Sequence, residues 1–243
     1  MGLLQKVFRK KRQRARPYCA ALIAAAGSST RYGGENKLLL PLDDMPVLAH
    51  TLLAVDRAAS IDEIVIAARE DELLRYAELC KTYGITKPVK VVPGGATRTE
   101  SVLRAALEAS PEAALLAVQD GARPLVTGEL IDRTVEAAHT SFAAAPAVPV
   151  TDTIKVAQGG IVQSTPERST LFAVQTPQVF DAGLLKAALQ SALTAGITLT
   201  DDCSAVERFG KEVSLTEGDP ENIKITTPLD LAVAETILQR RGE

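Results

Sequence analysis

Arg31 and Lys37 stand in a stretch of small residues, Ala25-Ala26-Gly27-Ser28-Ser29-Thr30-Arg31-Tyr32-Gly33-Gly34-Glu35-Asn36-Lys37, directly behind an apolar run. Glycine and small side chains let backbone N–H groups approach an anion, and the two cations add full positive charge, so the chemistry is that of phosphate. The spacing is neither G-x-x-x-x-G-K-[ST] nor G-x-G-x-x-G, which excludes two common phosphate cradles. Two other polar segments follow apolar runs: Pro93-Gly94-Gly95-Ala96-Thr97-Arg98 with Ser101, and Gln119-Asp120-Gly121-Ala122-Arg123-Pro124. Asp120 suits a Mg²⁺ ligand, because magnesium takes one or two carboxylates together with substrate phosphates. Capping the turn that follows it is the alternative role of the same residue. Lys224 lies between Ile223 and Ile225 in a short β run, so alternation turns it away from both. It is then either a phosphate ligand in a cleft or an exposed strand lysine. Thr200-Asp201-Asp202 opens a helical stretch. The two histidines, His50 and His139, fall inside helix-like patterns and read as structural, so a histidine-based triad is not expected.

The elements that must position these residues alternate along the chain. Periodicity predicts strands over 19–25, 63–68, 89–92, 114–118 and 143–148, and helices over 47–59, 71–83, 97–109 and 128–139. Such alternation implies an α/β fold, with a mostly parallel sheet flanked by helices and ligands at the carboxyl ends of the strands. Thr97-x-x-Glu100 has the form of a capping box, and Thr127 can cap the helix behind it. Thr227-Pro228 places a cap before proline at the first helical position, which predicts a final helix over 228–240. Between about 149 and 175 the alternation breaks into short β-prone pieces around Gly159-Gly160, a hairpin that reads as an inserted lid or an arm packing on a neighbouring subunit. No repeat, low-complexity tract or linker divides 18–240, so one domain behind a tail of residues 1–17 is expected.

The tail carries seven basic residues and no acid, leaving 20 basic against 30 acidic side chains in the body. Its charge follows its apolar residues, the reverse of a secretory signal, and it reads either as a solvated terminus or as a short basic amphipathic helix. No apolar run approaches the roughly 20 residues that span a bilayer, so no membrane partner is expected. Positive charge confined to the tail and the loops gives no support for nucleic-acid binding. Three widely spaced cysteines without C-x-x-C spacing point to a reducing cytoplasm rather than to disulfides or zinc.

Seven segments in order resemble the 2-C-methyl-D-erythritol 4-phosphate cytidylyltransferases, of the wider Rossmann-like nucleotide-diphospho-sugar transferase fold, over about residues 18–240. They are Ala25-Ala26-Gly27-x-x-x-Arg31 with Lys37; Gly94-Gly95 with Arg98 and Ser101; Asp120-x-Ala122-Arg123-Pro124; residues 149–155; Thr176-Pro177-Gln178; Thr200-Asp201-Asp202; and residues 222–226. The resemblance implies CTP and methylerythritol phosphate as substrates, Mg²⁺ or another divalent cation as cofactor, and a homodimer joined through the β-hairpin arm. It places the cytidine pocket at Ala25, Ala26, Gly27, Gly95 and Ser101. Asp120 becomes the metal ligand and also joins the nucleotide site, and Arg31, Lys37 and Lys224 become the catalytic cations. It assigns the acceptor to Arg123, Thr153, Arg168 and Thr200, with Thr153 and Arg168 on the arm. The sequence departs from the family pattern at Asn36-Lys37-Leu38, where Pro-Lys-Gln is usual, and at Ala96, Gln119 and Gly121. A ribitol-5-phosphate cytidylyltransferase shares the same fold and nucleotide, and a non-catalytic nucleotide-binding regulator of this fold is the alternative of another class.

Overall fold

The computed structural model describes residues 16–27 and 36–242; Arg31 and residues 1–15 of the tail lie outside the described residues. The chain begins with β1 (Cys19–Ala25), whose alanine, leucine and isoleucine side chains are buried on both faces, as a central parallel strand requires. A small antiparallel pair, β2 (Pro41–Leu42) and β3 (Met45–Pro46), leads into α1 (Val47–Arg57). Then come β4 (Glu63–Ala68), α2 (Leu73–Thr82), β5 (Val89–Pro93), α3 (Arg98–Glu108), β6 (Leu115–Asp120), α4 (Gly128–Ser141) and β7 (Ala143–Pro149). Each agrees with the periodic pattern to within a few residues at its ends.

Past β7 the arm carries the hairpin β8 (Val156–Gln158) and β9 (Ile161–Ser164), turning at Gly159-Gly160 with φ of +58° and +80°. Two successive positive φ angles are what a tight hairpin of matching twist needs, and glycine meets them without a Cβ clash. The third piece, β10 (Phe172–Val174), does not continue the hairpin but pairs antiparallel with β7 in the main sheet. The rest comprises β11 (Gln178–Asp181), α5 (Ala182–Thr194), α6 (Asp202–Arg208), β12 (Ser214–Glu217) and α7 (Pro228–Arg241).

The sheet order is β10-β7-β11-β6-β1-β4-β5, with β12 alongside β7. It is mixed and largely parallel: β6, β1, β4 and β5 run parallel, while β11 lies antiparallel between β6 and β7. From β1 the chain moves outward through β4 to β5 and then returns to β6 on the other side of β1, so strand order reverses between β1 and β6. Ligands bind at such a reversal in open α/β sheets. The register places Asp120 opposite Ala24, beside the loop at Ala25–Gly27.

Alternation along β1 sends Ile23 to a core shared with Leu48, Leu52, Ile66 and Tyr76 from α1, β4 and α2. It sends Leu22 to a second core with Val102, Phe180, Leu185 and Leu189 from α3, β11 and α5. Helices on both faces thus hold the strand ends rigid. Thr97 caps α3 by accepting from Glu100 N at 3.1 Å, but the Glu100 carboxylate turns to Ala96 N at 2.9 Å instead of closing the box on Thr97. Thr127 accepts from Leu130 N at 3.2 Å, and Thr227 donates its backbone N–H to Asp230 at 2.7 Å ahead of Pro228. Among the described residues no helix is long and apolar enough to cross a membrane.

One expectation is corrected. Residues 222–226 form no strand. Turn bonds take its first two amides, Asn222 N to Asp219 O (2.9 Å) and Ile223 N to Glu221 O (2.7 Å), and Asp230 takes the last, Thr226 N (2.7 Å), so no ladder runs through it. Ile225 N donates to Ala122 O at 2.8 Å, and side-chain bonds at Asn222, Ile225 O and Thr226 hold the rest of the segment. Ile225 is fully buried, so alternation still turns Lys224 the other way.

Candidate active site

Asp120 closes β6 and is almost fully buried, which for a lone carboxylate carries a heavy desolvation cost. Three cations offset it. Lys224 Nζ stands 2.8 Å and Arg123 Nε 3.6 Å from Oδ2, and Arg98 Nη2 approaches Oδ1 at 3.5 Å. Burial pushes the Asp120 pKa up, but Lys224 and Arg98 outweigh it and hold the carboxyl at about 2. The side chain is therefore ionised at neutral pH and faces the cations instead of capping the next turn; the turn closes by Arg123 N to the Asp120 carbonyl at 3.2 Å.

Arg123, Lys37 and Arg98 are anchored by further contacts. Arg123 Nη1 donates to Asn222 O at 2.5 Å, and buried Asn222 donates to Thr176 O at 3.0 Å. Lys37 Nζ donates at 2.6 Å to the carbonyl of Ile225, 188 positions away in the chain and the residue after Lys224. Arg98 divides its guanidinium between Asp120 and Asp202, whose Oδ2 is 2.7 Å from Nη1. Asp202 is 1% exposed; burial raises its pKa against the pull of Arg98, while burial is overcome at Arg98 by the two aspartates, which raise its pKa. Gln178 Oε1 takes Asp202 N and Cys203 N, and its Nε2 donates to Asp201, tying the start of α6 to β11.

The glycine pair supplies close approach. A Cβ on Gly94 would lie 2.5 Å from Ala26 Cβ, and one on Gly95 2.3 Å from the Glu100 side chain, so neither position admits alanine without movement. Gly94 thereby brings the loop after β5 against the loop after β1. Ser101 Oγ accepts from Gly95 N at 2.9 Å and donates to Thr97 O at 2.8 Å, setting the direction of the Gly95 backbone.

Of the residues expected from sequence, the structure brings Lys37, Asp120, Arg123 and Lys224 into one cluster, with Ala25, Ala26 and Gly27 at the adjoining strand end and Gly95 and Ser101 across the Gly94 contact. Thr200 precedes α6 and pairs with Ser204 Oγ at 2.9 Å, close in sequence to Asp202. Thr153 and Arg168 sit apart on the exposed arm, where Arg168 donates to Thr151 O at 3.0 Å and makes none of the bonds that knit the cluster. Sequence reasoning gave no role to Arg98, Asp202, Asn222 or Gln178. A signal for Arg98 was present: an arginine at the first position of a helix opposes the positive end of the helix dipole and needs carboxylates nearby.

The family model described as IspD, 2-C-methyl-D-erythritol 4-phosphate cytidylyltransferase, matches residues 19–240. A protein of that name from Bacillus cytotoxicus is 45% identical over 223 residues, covering 90% of this chain and 98% of the relative. One from Geotalea uraniireducens is 41% identical over 223 residues, covering 90% and 96%. Among solved structures, the 4-diphosphocytidyl-2C-methyl-D-erythritol synthase of Anaerococcus prevotii superposes with a TM-score of 0.84 at 31% identity, covering 92% of this chain and 97% of its own. The 2-C-methyl-D-erythritol 4-phosphate cytidylyltransferase of Thermus thermophilus gives 0.73 at 33%, covering 91% and 99%. A reversal-point cluster of one ionised aspartate and several cations, on a chain matched over nearly all its described length, leads to one conclusion: this chain belongs to the 2-C-methyl-D-erythritol 4-phosphate cytidylyltransferase family.

Proposed function

We propose that the protein transfers CMP from CTP to 2-C-methyl-D-erythritol 4-phosphate, giving 4-diphosphocytidyl-2-C-methyl-D-erythritol and pyrophosphate, a step of isoprenoid biosynthesis. The observation that carries this reading is the convergence of Lys37, Lys224, Arg98 and Arg123 on the reversal point around Asp120. A phosphate monoester has a second pKa near 6, so the acceptor is already a nucleophile at neutral pH and needs no general base. The barrier is electrostatic, because a dianion must reach the α-phosphate of a triphosphate. Fixed cations aligned on the developing charge lower it. Lys37 and Lys224 are assigned that task at the α-phosphate, and the family resemblance adds Arg31 to it. Ala25, Ala26, Gly27, Gly95 and Ser101 present backbone and hydroxyl groups to the cytidine.

The residues fit a divalent cation. Asp120 is ionised, and among the described residues its Oδ1 is engaged by the long Arg98 contact alone. Among the described residues no group of three or more His, Cys, Asp or Glu side chains could hold a metal alone, so the protein would provide one carboxylate and the phosphates the remainder. Mg²⁺ held by Asp120 would neutralise phosphate charge. Arg123 and Thr200 border the same cluster as acceptor ligands, and Thr153 and Arg168 reach an acceptor only if the arm lies against a second copy. The homodimer is proposed on that ground. The arm exposes Ile161 (69%), Val162 (55%) and Val156 (49%), side chains that a partner would cover. Three cysteines free of disulfides suit a cytoplasmic setting.

Pyrophosphate release with CTP and each acceptor in turn tests the assignment. Turnover with methylerythritol phosphate and not with ribitol 5-phosphate is expected. The reverse preference transfers the protein to the ribitol enzyme, and CTP binding without release from either makes it a regulator.

A further inference from the structure

The amide of Asn36 has more partners than a helix cap requires. Its Oδ1 accepts from Leu38 N at 3.2 Å, capping the short 3-10 turn of residues 37–39 that carries Lys37. A cap needs that acceptor alone, and serine, threonine or aspartate provide it as well as asparagine. Here the amide nitrogen also spends both hydrogens, on Glu72 Oε1 at 2.9 Å and on Tyr76 Oη at 3.0 Å. Those partners are themselves immobilised. Tyr76 is fully buried in the core between α1 and α2, and Glu72, 6% exposed, takes Arg69 Nη2 at 3.3 Å. Neither Glu72 nor Tyr76 belongs to the cation cluster.

Lys37 is consequently held at two ends. Its backbone is tied through Asn36 to the start of α2, and its ammonium reaches Ile225 O beside Lys224. We infer that Asn36, clasped by Glu72 and Tyr76, is a positioning residue that aims Lys37 at the reacting phosphates. The inference deepens the function proposed above and rests on it for the task of Lys37. An ammonium on a four-carbon stem has many rotamers, and fixing the start of that stem removes displacements that cost turnover steeply in a reaction governed by charge placement.

A merely structural asparagine and one acting through Lys37 differ in a double-mutant cycle. Pyrophosphate release is measured for Asn36→Ala, Asn36→Asp, Tyr76→Phe, Lys37→Ala and the combinations with Lys37→Ala, with thermal melts for each. Asn36→Asp keeps the acceptor to Leu38 N but loses both donors and sets a second carboxylate against Glu72. Expected is a loss in kcat of about 10-fold for either Asn36 variant and a few-fold for Tyr76→Phe, with losses shrinking below about 2-fold once Lys37 is alanine. Equal losses in both backgrounds, or wild-type kcat in Asn36→Asp, overturn the inference. A wild-type protein that turns over neither acceptor overturns the functional reading instead. The cycle is then read from CTP affinity by calorimetry, where coupling between Asn36 and Lys37 upholds the inference and additivity overturns it. Absence of CTP binding as well overturns both.

Discussion

The reversal-point cluster and the arm are built on opposite terms. In the cluster every charged group has a partner within the chain: Asp120 meets three cations, Arg98 spans two aspartates, and Arg123 and Lys37 each donate to a backbone carbonyl. In the arm every residue of β8 and β9 is exposed, and its apolar side chains touch no core. A site that concentrates charge must be rigid and self-satisfied before substrate arrives, because reorganising dipoles during the reaction costs rate. A hairpin with no buried face has no comparable reason to hold its shape alone.

The comparison breaks most sharply at Arg98. Arg98→Met leaves Asp202 buried without its cation and should cost about 3–5 kcal/mol of stability by chemical denaturation; a loss under 1 kcal/mol would mean the pair does not hold α6 to α3. Next, Lys224→Ala and Lys37→Ala should each lower kcat by about 10²–10³; Lys37→Ala should leave the melting temperature nearly unchanged, whereas Lys224→Ala should lower it because buried Asp120 loses its nearest cation, and near-native turnover in either removes that lysine from the mechanism.

Acid sharpens the contrast. The folded pKa of Asp120 lies near 2, below the unfolded value of about 3.9, so its contribution is present above pH 4 and lost as pH falls toward 2. Asp202 has a raised pKa, and its contribution runs the other way, full below about pH 4 and lost as pH rises through its folded value. Asp120→Asn should therefore flatten the acid limb of stability by on the order of 2 kcal/mol, read from denaturant melts between pH 2 and 5. An unchanged acid limb would show that the cations do not favour the ionised form.

For the arm, Val162→Asp should leave the stability of the isolated chain within about 0.5 kcal/mol while lowering the assembled fraction in sedimentation. If Arg168 serves a partner's site, mixed Arg168→Ala and Lys37→Ala subunits recover activity that neither has alone; verified heterodimers without recovery refute the shared site. The smallest effect is expected at the tail. Removing residues 1–15 spares the Arg16–Asp62 pair and should leave turnover within about twofold, and a large loss would give the tail a role in the reaction.

Much of the fold was legible because its signals are local. Apolar runs of strand length and the caps at Thr97 and Thr127 mark β1, β4, β6, α3 and α4 without reference to anything distant. Among the elements that escaped notice, β11 and β12 draw their order from the sheet: β11 is short and wedged antiparallel between β6 and β7, and β12 lies against β7. Lys224 shows both sides at once. Alternation with Ile223 and Ile225 gave its direction correctly, yet no strand exists there, because buried Ile225, its bond to Ala122 and side-chain bonds at Asn222 and Thr226 hold the segment without a ladder.

What the amino-acid order determined by itself is the menu of groups at the strand ends, an anion-binding set with one acid and several cations, since residue type and strand position are properties of the chain alone. What the tertiary structure decided is who neutralises whom. That Arg98 divides itself between Asp120 and Asp202, that Lys37 reaches a carbonyl next to Lys224, and that Asn36 is gripped from α2 are outcomes of packing, because each joins residues 22 to 188 positions apart whose distance no local periodicity encodes.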